Sequence, residues 1–216
     1  MRIFGMKLEG MVLQDHEKLG TIYSIVYSPD GKFILTNSAI ARSALLKEPT
    51  EWAACIWDAT TCRFVRALAH ADSIKSVLYS PKGTFVLTTC QNHPPGIWAT
   101  TTGELVRIWH AATGRLVRTL EHPGELHSLV CSPDERFILT AALVEYLYGT
   151  PCSWSACVWN VASGERVRIL KHPRAVHTAI YSPDGSRILT TTNDRAVHIW
   201  DTSTGALVRP KIEKVD

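Results

Sequence analysis

Two pairs of histidines have a spacing that could bind a metal ion, His122 with His127 and His172 with His177. Imidazole nitrogens bind zinc, and a zinc site needs three or four ligands that converge on one point. Both pairs lie in segments with the composition of β-strands, where residues five apart point to opposite faces of the sheet. The spacing therefore does not predict a metal site, and we expect no cofactor.

Other catalytic patterns are also missing from the sequence. It contains no Gly-rich phosphate loop, no Gly-x-Ser-x-Gly elbow and no Cys-x-x-Cys pair. Asp15 and Glu17 share one turn region, which is typical of solvated charge and not of an acid–base pair. We therefore expect a protein that is not an enzyme.

Arginines recur nine residues after four tryptophans, at Arg66, Arg118, Arg168 and Arg209. A ring of arginines could contact phosphates. Charged side chains on outer strands also discourage sheets from aggregating, and we favour this second interpretation. The net charge of only +3 is spread along the chain, so nucleic acid is not an expected partner.

Composition indicates a globular protein, with 216 residues of which 45% are hydrophobic and 20% charged. No apolar run reaches the ~18 residues of a membrane span. The first residues show no basic segment followed by an apolar block, so we do not expect secretion. The six cysteines are typical of small apolar residues in strands. We expect a reduced, cytoplasmic setting and no membrane partner.

A turn motif recurs four times in the chain, which is the signature of a repeat architecture. It reads Ser-Pro followed by Asp or Lys and then Gly or Glu, and the residue before each copy is Tyr27, Tyr79, Cys131 and Tyr181. The copies lie 52, 52 and 50 positions apart. Pro and Gly favour a tight turn here, and the alternating runs on both sides predict a β-hairpin.

Each hairpin is followed by two more β runs, the first ending in Trp57, Trp109, Trp159 or Trp200. The sequence therefore predicts an all-β protein made of four-stranded antiparallel units. We assign one domain over residues 1–216, with repeats at about 17–69, 70–121, 122–171 and 172–210 and an extra strand at about 10–16.

The histidine before the first run, the Ser-Pro-Asp-Gly turn and the Trp-Asp ending of the third run resemble the WD-repeat β-propeller family. The resemblance covers about residues 10–210. It implies a β-propeller of four four-stranded antiparallel blades, with three alternatives: a closed four-blade ring, half of a larger ring made by two copies, or an incomplete ring that another chain completes. Propellers have about 4–8 blades, so four blades leave closure open.

The resemblance also implies a structural hydrogen-bond set, complete only in the last repeat, at His172, Thr190, Asp194 and Trp200. The position of Asp194 is occupied by other residue types in the first three repeats, so we expect a weaker set there. In the second repeat either Trp98 or Trp109 could be the blade tryptophan, and the run after Trp109 favours the latter.

The first three repeats carry about 9–11 extra residues between their second and third strands. These inserts are rich in apolar and aromatic residues, which mark interfaces when exposed. We take as candidate partner-binding residues Leu45, Leu46, Trp52, Pro94, Pro95, Trp98, Tyr146, Tyr148 and Trp154. Alternatively, the inserts pack on one another or extend the hairpins.

The functional hypothesis from the sequence is a protein–protein interaction scaffold that docks a partner through the inserts on one rim of the propeller. A first alternative is a structural subunit whose ring is completed by another copy, as a homodimer or larger assembly, or by a different chain. A second is a hydrolase or lyase that uses channel residues, with the turn histidines and Asp194 as candidates.

Overall fold

The protein folds into four β-sheets, which we call blades 1 to 4 in chain order. The structure is a computed structural model and describes residues 21–39, 52–91, 103–122, 124–143 and 154–208. In these residues it contains strands and no helix. The predicted all-β class and the four four-stranded antiparallel sheets are confirmed.

The blades have the following strands. Blade 1 has β1 (Ile22–Tyr27), β2 (Phe33–Ala39), β3 (Trp52–Asp58) and β4 (Phe64–His70). Blade 2 has β5 (Ile74–Tyr79), β6 (Phe85–Gln91), β7 (Glu104–His110) and β8 (Leu116–His122). Blade 3 has β9 (Glu125–Cys131), β10 (Phe137–Leu143), β11 (Trp154–Asn160) and β12 (Arg166–His172). Blade 4 has β13 (Val176–Tyr181), β14 (Arg187–Thr192), β15 (Val197–Asp201) and β16 (Leu207–Val208).

Each sheet is a simple antiparallel meander in which neighbours in sequence are neighbours in space. The Ser-Pro turn sets the first hairpin of every blade. In blade 1 the Ser28 hydroxyl donates to Asp30 over 2.6 Å, and Ser28 Oγ accepts from the Phe33 amide over 2.9 Å. Gly31 closes this turn with a φ of 72°. Blade 3 has Glu135 at the glycine position, with a φ of 66°.

Consecutive blades pack face to face through apolar side chains. On blade 1 the face that meets blade 2 includes Leu35 and Ile56, and on blade 2 the opposing side chains include Ile74, Val86 and Trp109. We call the face that meets the following blade the trailing face, and the face that meets the preceding blade the leading face. The junctions of blade 2 with blade 3 and of blade 3 with blade 4 repeat this arrangement.

Three arginines on the fourth strands reach across these junctions to a glycine turn of the next blade. Arg118 of blade 2 donates to the carbonyl of Ala162, and Arg168 of blade 3 donates to the carbonyls of Thr202 and Ser203. A Cβ placed on Gly164 would lie 3.1 Å from the Cδ of Arg118. The outer arginines therefore hold neighbouring blades together, a role that the sequence did not suggest.

The arginine contact should make Gly164→Ala more costly than a similar change at Gly31. Both glycines have a left-handed φ, 77° and 72°, and each alanine variant loses ~1–2 kcal/mol for that backbone conformation. A Cβ at Gly31 has nothing within 4 Å, whereas at Gly164 it displaces Arg118. We expect Gly164→Ala to lose ~1 kcal/mol more in urea unfolding, about one hydrogen bond. Equal losses would contradict the arginine contact.

Candidate functional site

A buried chain of hydrogen bonds joins blade 3 to blade 4. The indole N–H of Trp200 donates to Thr190 Oγ1 over 2.9 Å, and this hydroxyl lies 2.7 Å from Nε2 of His172. Nδ1 of His172 lies 2.8 Å from the Leu170 carbonyl oxygen. His172 and Leu170 belong to β12 of blade 3, whereas Thr190 and Trp200 belong to blade 4. The chain therefore crosses the junction between two blades.

The direction of each bond in this chain is fixed by the chemistry of its groups. A carbonyl only accepts, so His172 Nδ1 carries the proton and donates to Leu170. Nε2 is then the free acceptor, and the Thr190 hydroxyl must donate to it. The indole N–H only donates, so Thr190 accepts from Trp200. With a neutral imidazole, each of these buried polar groups therefore has a hydrogen-bond partner.

Blade 2 has the same chain, which joins it to blade 1. Trp109 donates to Thr88 Oγ1 over 3.1 Å, Thr88 lies 2.8 Å from His70 Nε2, and His70 Nδ1 lies 2.8 Å from the Leu68 carbonyl oxygen. The expectation of a weaker set outside the last repeat therefore does not hold for blade 2. The same bonds identify Trp109 as the blade tryptophan, while Trp98 lies outside the described residues.

Asp194, the fourth residue of the predicted set, is not part of the chain. Its Oδ1 accepts from the Thr192 hydroxyl over 2.5 Å and from the Ala196 amide over 3.4 Å. The structure therefore brings together three of the four residues and corrects the fourth. The physical reason is that the Leu170 carbonyl already accepts the only N–H of the His172 ring.

Blades 1 and 3 keep the tryptophan–threonine bond. Trp57 donates to Thr36 over 3.0 Å, and Trp159 donates to Thr140 over 2.9 Å. In blade 3 the ring of His122 packs edge-on against Trp159, with centroids 4.8 Å apart. Its Nε2 is buried and makes no hydrogen bond among the described residues. The chain is therefore complete at two junctions and partial at a third.

Burial holds the chain histidines neutral. It lowers the pKa of His70, His122 and His172 to about 4, well below the ordinary value of 6.5. In His70 and His172 both ring nitrogens also have partners inside the blade. These imidazoles are therefore structural groups and are not available to act on a substrate.

The low histidine pKa values predict a loss of stability in mild acid. The unfolded chain binds protons near pH 6.5 and the folded chain only near pH 4, so stability is complete above pH 6.5 and falls between these values. The pKa of Asp184 and of Asp201 is lowered to about 2, so the stability that these carboxylates contribute is lost only below pH 3.8. We expect the thermal midpoint to fall steadily from pH 7 to pH 4.5, by about 2–4 °C per kcal/mol lost.

The control for this experiment is the double variant His127→Ala, His177→Ala, because both of these side chains are exposed. It should show the same fall in thermal midpoint. A midpoint that stays constant from pH 7 to pH 4.5 would contradict neutral buried histidines.

The threonine hydroxyl should be more important to stability than its size suggests. Thr190→Val keeps the shape but leaves the Trp200 N–H and His172 Nε2 without partners. Each buried unpaired group costs ~1–3 kcal/mol, so we expect a loss of ~2–5 kcal/mol in urea unfolding. Thr119→Val, at an exposed position of β8, should stay within ~0.5 kcal/mol of the parent. Similar losses in the two variants would refute the hydrogen-bond chain.

The two histidines of each pair lie on different strands, which corrects the expectation of one extended segment: His122 ends β8 and His127 lies on β9, and His172 ends β12 and His177 lies on β13. His122 and His172 are buried, and His127 and His177 are exposed. The rings of His127 and His177 lie 6.4 Å apart on the first strands of blades 3 and 4. Within the described ranges, no group of three or more His, Cys, Asp or Glu side chains could hold a metal ion.

The inserts leave blades 1, 2 and 3 at corresponding corners, after Ala39, Gln91 and Leu143. Of the nine candidate partner-binding residues, Trp52 begins β3 and is half-buried, with its ring 5.8 Å from that of Tyr23. Trp154 begins β11, and its side chain is not described. The other seven lie outside the described residues, at Leu45, Leu46, Pro94, Pro95, Trp98, Tyr146 and Tyr148.

An ion cluster lies where the second insert returns to its blade. Lys75 Nζ is 2.7 Å from Glu104 of the same blade and 2.7 Å from Glu125 of blade 3. The side chain of Glu104 is 3% exposed, and the Lys75 ammonium compensates the cost of burying this carboxylate. Sequence reasoning missed this link, because its three members are far apart in the chain.

The described cysteines are free and buried, at Cys55, Cys62, Cys90, Cys131 and Cys157. Burial raises the pKa of Cys55 and Cys131 to about 12. Their sulfurs are therefore protonated thiols without nucleophilic character. No helix in the described part of the chain is long and apolar enough to cross a membrane.

Comparison with known proteins agrees with this geometry. The family model described as WD domain, G-beta repeat matches residues 9–39 and 164–201. A stretch of 77 residues is 29% identical to a ribosome biogenesis protein BOP1 homolog of Leishmania braziliensis. That stretch is 36% of this chain and spans about 9% of the length of the relative. The resemblance to WD-repeat proteins is therefore confirmed, and the four sheets are consistent with WD-repeat propeller blades.

Proposed function

We propose that this chain is a non-enzymatic scaffold that docks a partner protein through the inserts on one rim. The WD repeats support a protein-interaction role in general. The observation that carries the specific proposal is the common origin of the inserts, which leave from corresponding corners of three consecutive blades. Three apolar segments on adjacent blades can form one contact surface.

The chemistry of the inserts fits a protein partner. Their aromatic residues are of the kind that dominates binding energy at protein interfaces. At the base of this rim the ring of Trp52 already packs beside Tyr23, whose side chain is exposed. The Lys75 cluster ties blades 2 and 3 together at the same end. A rigid base of this kind reduces the ordering cost of binding.

The polar groups of the blades favour a scaffold over a hydrolase or lyase. The turn histidines with complete chains are neutral and bonded on both nitrogens. Asp194, the other residue considered for catalysis, is bonded to its own turn. The buried thiols fit the reduced, cytoplasmic setting that we propose for the protein.

Site-specific photo-crosslinking tests the docking surface. A photoreactive residue at Trp98 or Tyr146 should give a discrete crosslinked protein, whereas the same residue at Val167 should not. Val167 is exposed on the outer strand of blade 3 and is the matched control. The double variant Trp98→Ser, Tyr146→Ser should keep its thermal midpoint and lose the partner. A crosslink from Val167 alone, or binding that survives the double variant, would contradict the rim as the docking surface.

A second candidate function is a structural subunit whose ring is completed outside this molecule. The specific observation in its favour is that apolar side chains are exposed on the first strand of blade 1 and on blade 4. Exposed apolar patches on sheet faces mark interfaces. The two candidates are compatible, because the inserts and the blade faces are different surfaces.

A further inference from the structure

A cavity of about 220 Å³ lies at the outer edge of the junction between blades 1 and 2. Its wall combines apolar side chains with a few polar ones and includes Phe33, Ile56, Val65, Arg66, Tyr79 and Lys82. Strand β2 begins beside the cavity at Phe33 and ends at Ala39, where the first insert leaves. The cavity therefore lies at the opposite end of the blades from the rim.

The arginine of this junction is free, unlike its equivalents at the next two junctions. Arg118 and Arg168 donate to carbonyl oxygens of the following blade. Arg66 also lies over a glycine turn, and a Cβ placed on Gly114 would be 3.2 Å from its Cδ. Within the described residues, however, the Arg66 guanidinium has no hydrogen-bond or ion-pair partner. Its N–H donors are available to a ligand.

A second unused donor lines the same cavity. The Tyr79 hydroxyl is buried and makes no hydrogen bond with the part of the chain that the structure describes. Burial first, and then the charge of Asp30, raises the pKa of Tyr79 to about 12, so the hydroxyl keeps its proton and can donate it. A buried polar group without a partner is costly, and a ligand that accepts this hydrogen bond removes the cost.

The charges around the cavity favour an anion. Arg66 and Lys82 are cationic, and Asp30 is the single acidic residue of the wall. Asp30 is bonded within its own turn, where it accepts from the Ser28 hydroxyl over 2.6 Å and from the Lys32 amide over 3.1 Å. A carboxylate is the anion whose two oxygens match the fork of a guanidinium. The cavity therefore offers more to a carboxylate than its own acidic residue takes away.

The size of the cavity selects a single side chain over a larger ligand. Sites for small molecules and cofactors enclose ~300–1,000 Å³, more than the 220 Å³ present here. Phe33 and Ile56 supply apolar walls for the methylene groups of a side chain. Val65 is exposed on the outer strand at the cavity, where the neighbours of a bound side chain would rest.

We propose that this cavity, which we call the Arg66 pocket, binds an aspartate or glutamate side chain from an apolar segment of a partner protein. The carboxylate accepts from the Arg66 guanidinium and from the Tyr79 hydroxyl, and Lys82 adds a favourable charge. The apolar neighbours in the segment contact Val65. The Arg66 pocket is separate from the rim, so it is a second binding site beyond the docking role of the inserts.

Fluorescence anisotropy tests the proposal on the full chain. The probe is a pool of short labelled peptides in which a fixed glutamate lies between randomised apolar residues, and a second pool has glutamine in its place. The parent should bind the glutamate pool at least ~10-fold more tightly, the effect of a hydrogen bond between charged groups. Equal affinity for the two pools would overturn the proposal.

Variants at equivalent positions of two junctions locate the binding. Arg66→Gln should abolish the preference for glutamate, and Tyr79→Phe should weaken binding by ~3-fold or more. Neither variant should lower the thermal midpoint, because neither group has a hydrogen bond to lose within the described residues. Arg168→Gln is the matched control: it should lower the midpoint, because it loses its bonds to blade 4, and keep the preference. Tyr181→Phe should change neither property.

Several other outcomes would contradict the Arg66 pocket. They are a preference for glutamate that survives Arg66→Gln, and a preference that Arg168→Gln removes while circular dichroism shows a folded protein. Displacement of the peptides by an equal concentration of butyrate would assign the pocket to a free small acid and overturn a protein partner. The Trp98→Ser, Tyr146→Ser variant should keep the preference of the parent, so failure of the pocket and failure of the rim are distinguishable.

Discussion

The structure depends on a threonine hydroxyl that is held between a tryptophan and a histidine. In blade 4, Thr190 accepts the Trp200 indole N–H and donates to His172. Because the histidine comes from the last strand of the preceding blade, the bond fixes both the interior of one blade and its position on its neighbour. An unpaired polar group in this place would be costly, so the chain selects one arrangement of the two sheets.

Two other kinds of contact join consecutive blades at the same junctions. Apolar faces supply the buried area at each junction, and the arginines of the fourth strands join the outer edges through glycine turns. Each contact involves consecutive blades only, as in other repeat proteins, whose stability is close to a sum of nearest-neighbour terms. The trailing face of blade 4, which is built like the internal ones, therefore has no following blade among the described residues, and Ile180 and Val197 are exposed on it.

Much of this architecture could be predicted from local sequence. The Ser-Pro turns and the recurring tryptophans predict the hairpins, the strand order and the choice of Trp109, because these features depend on residues close together in the chain. The histidine pairs were interpreted as residues of one extended segment, whereas His122 ends β8 and His127 lies on β9 of the next blade, so their different burial is set by two strands.

The exact hydrogen-bond partners could not be predicted in the same way. Asp194 and the Leu170 carbonyl are both possible acceptors for the N–H of His172, and only the packed structure shows that the carbonyl is bonded. The contact of Arg118 with Gly164 joins residues far apart in sequence. Sequence patterns identify which residues recur, whereas the choice between competing partners is made by the packing of two blades.

The protonation state of the chain histidines is the most direct test of this account. Two-dimensional ¹H–¹⁵N correlation of the imidazole rings distinguishes a proton on Nδ1 from a proton on Nε2. The account predicts that His70 and His172 carry the proton on Nδ1 at neutral pH and remain neutral well below pH 6.5. A proton on Nε2, or titration near 6.5, would contradict the hydrogen-bond chain that joins the blades.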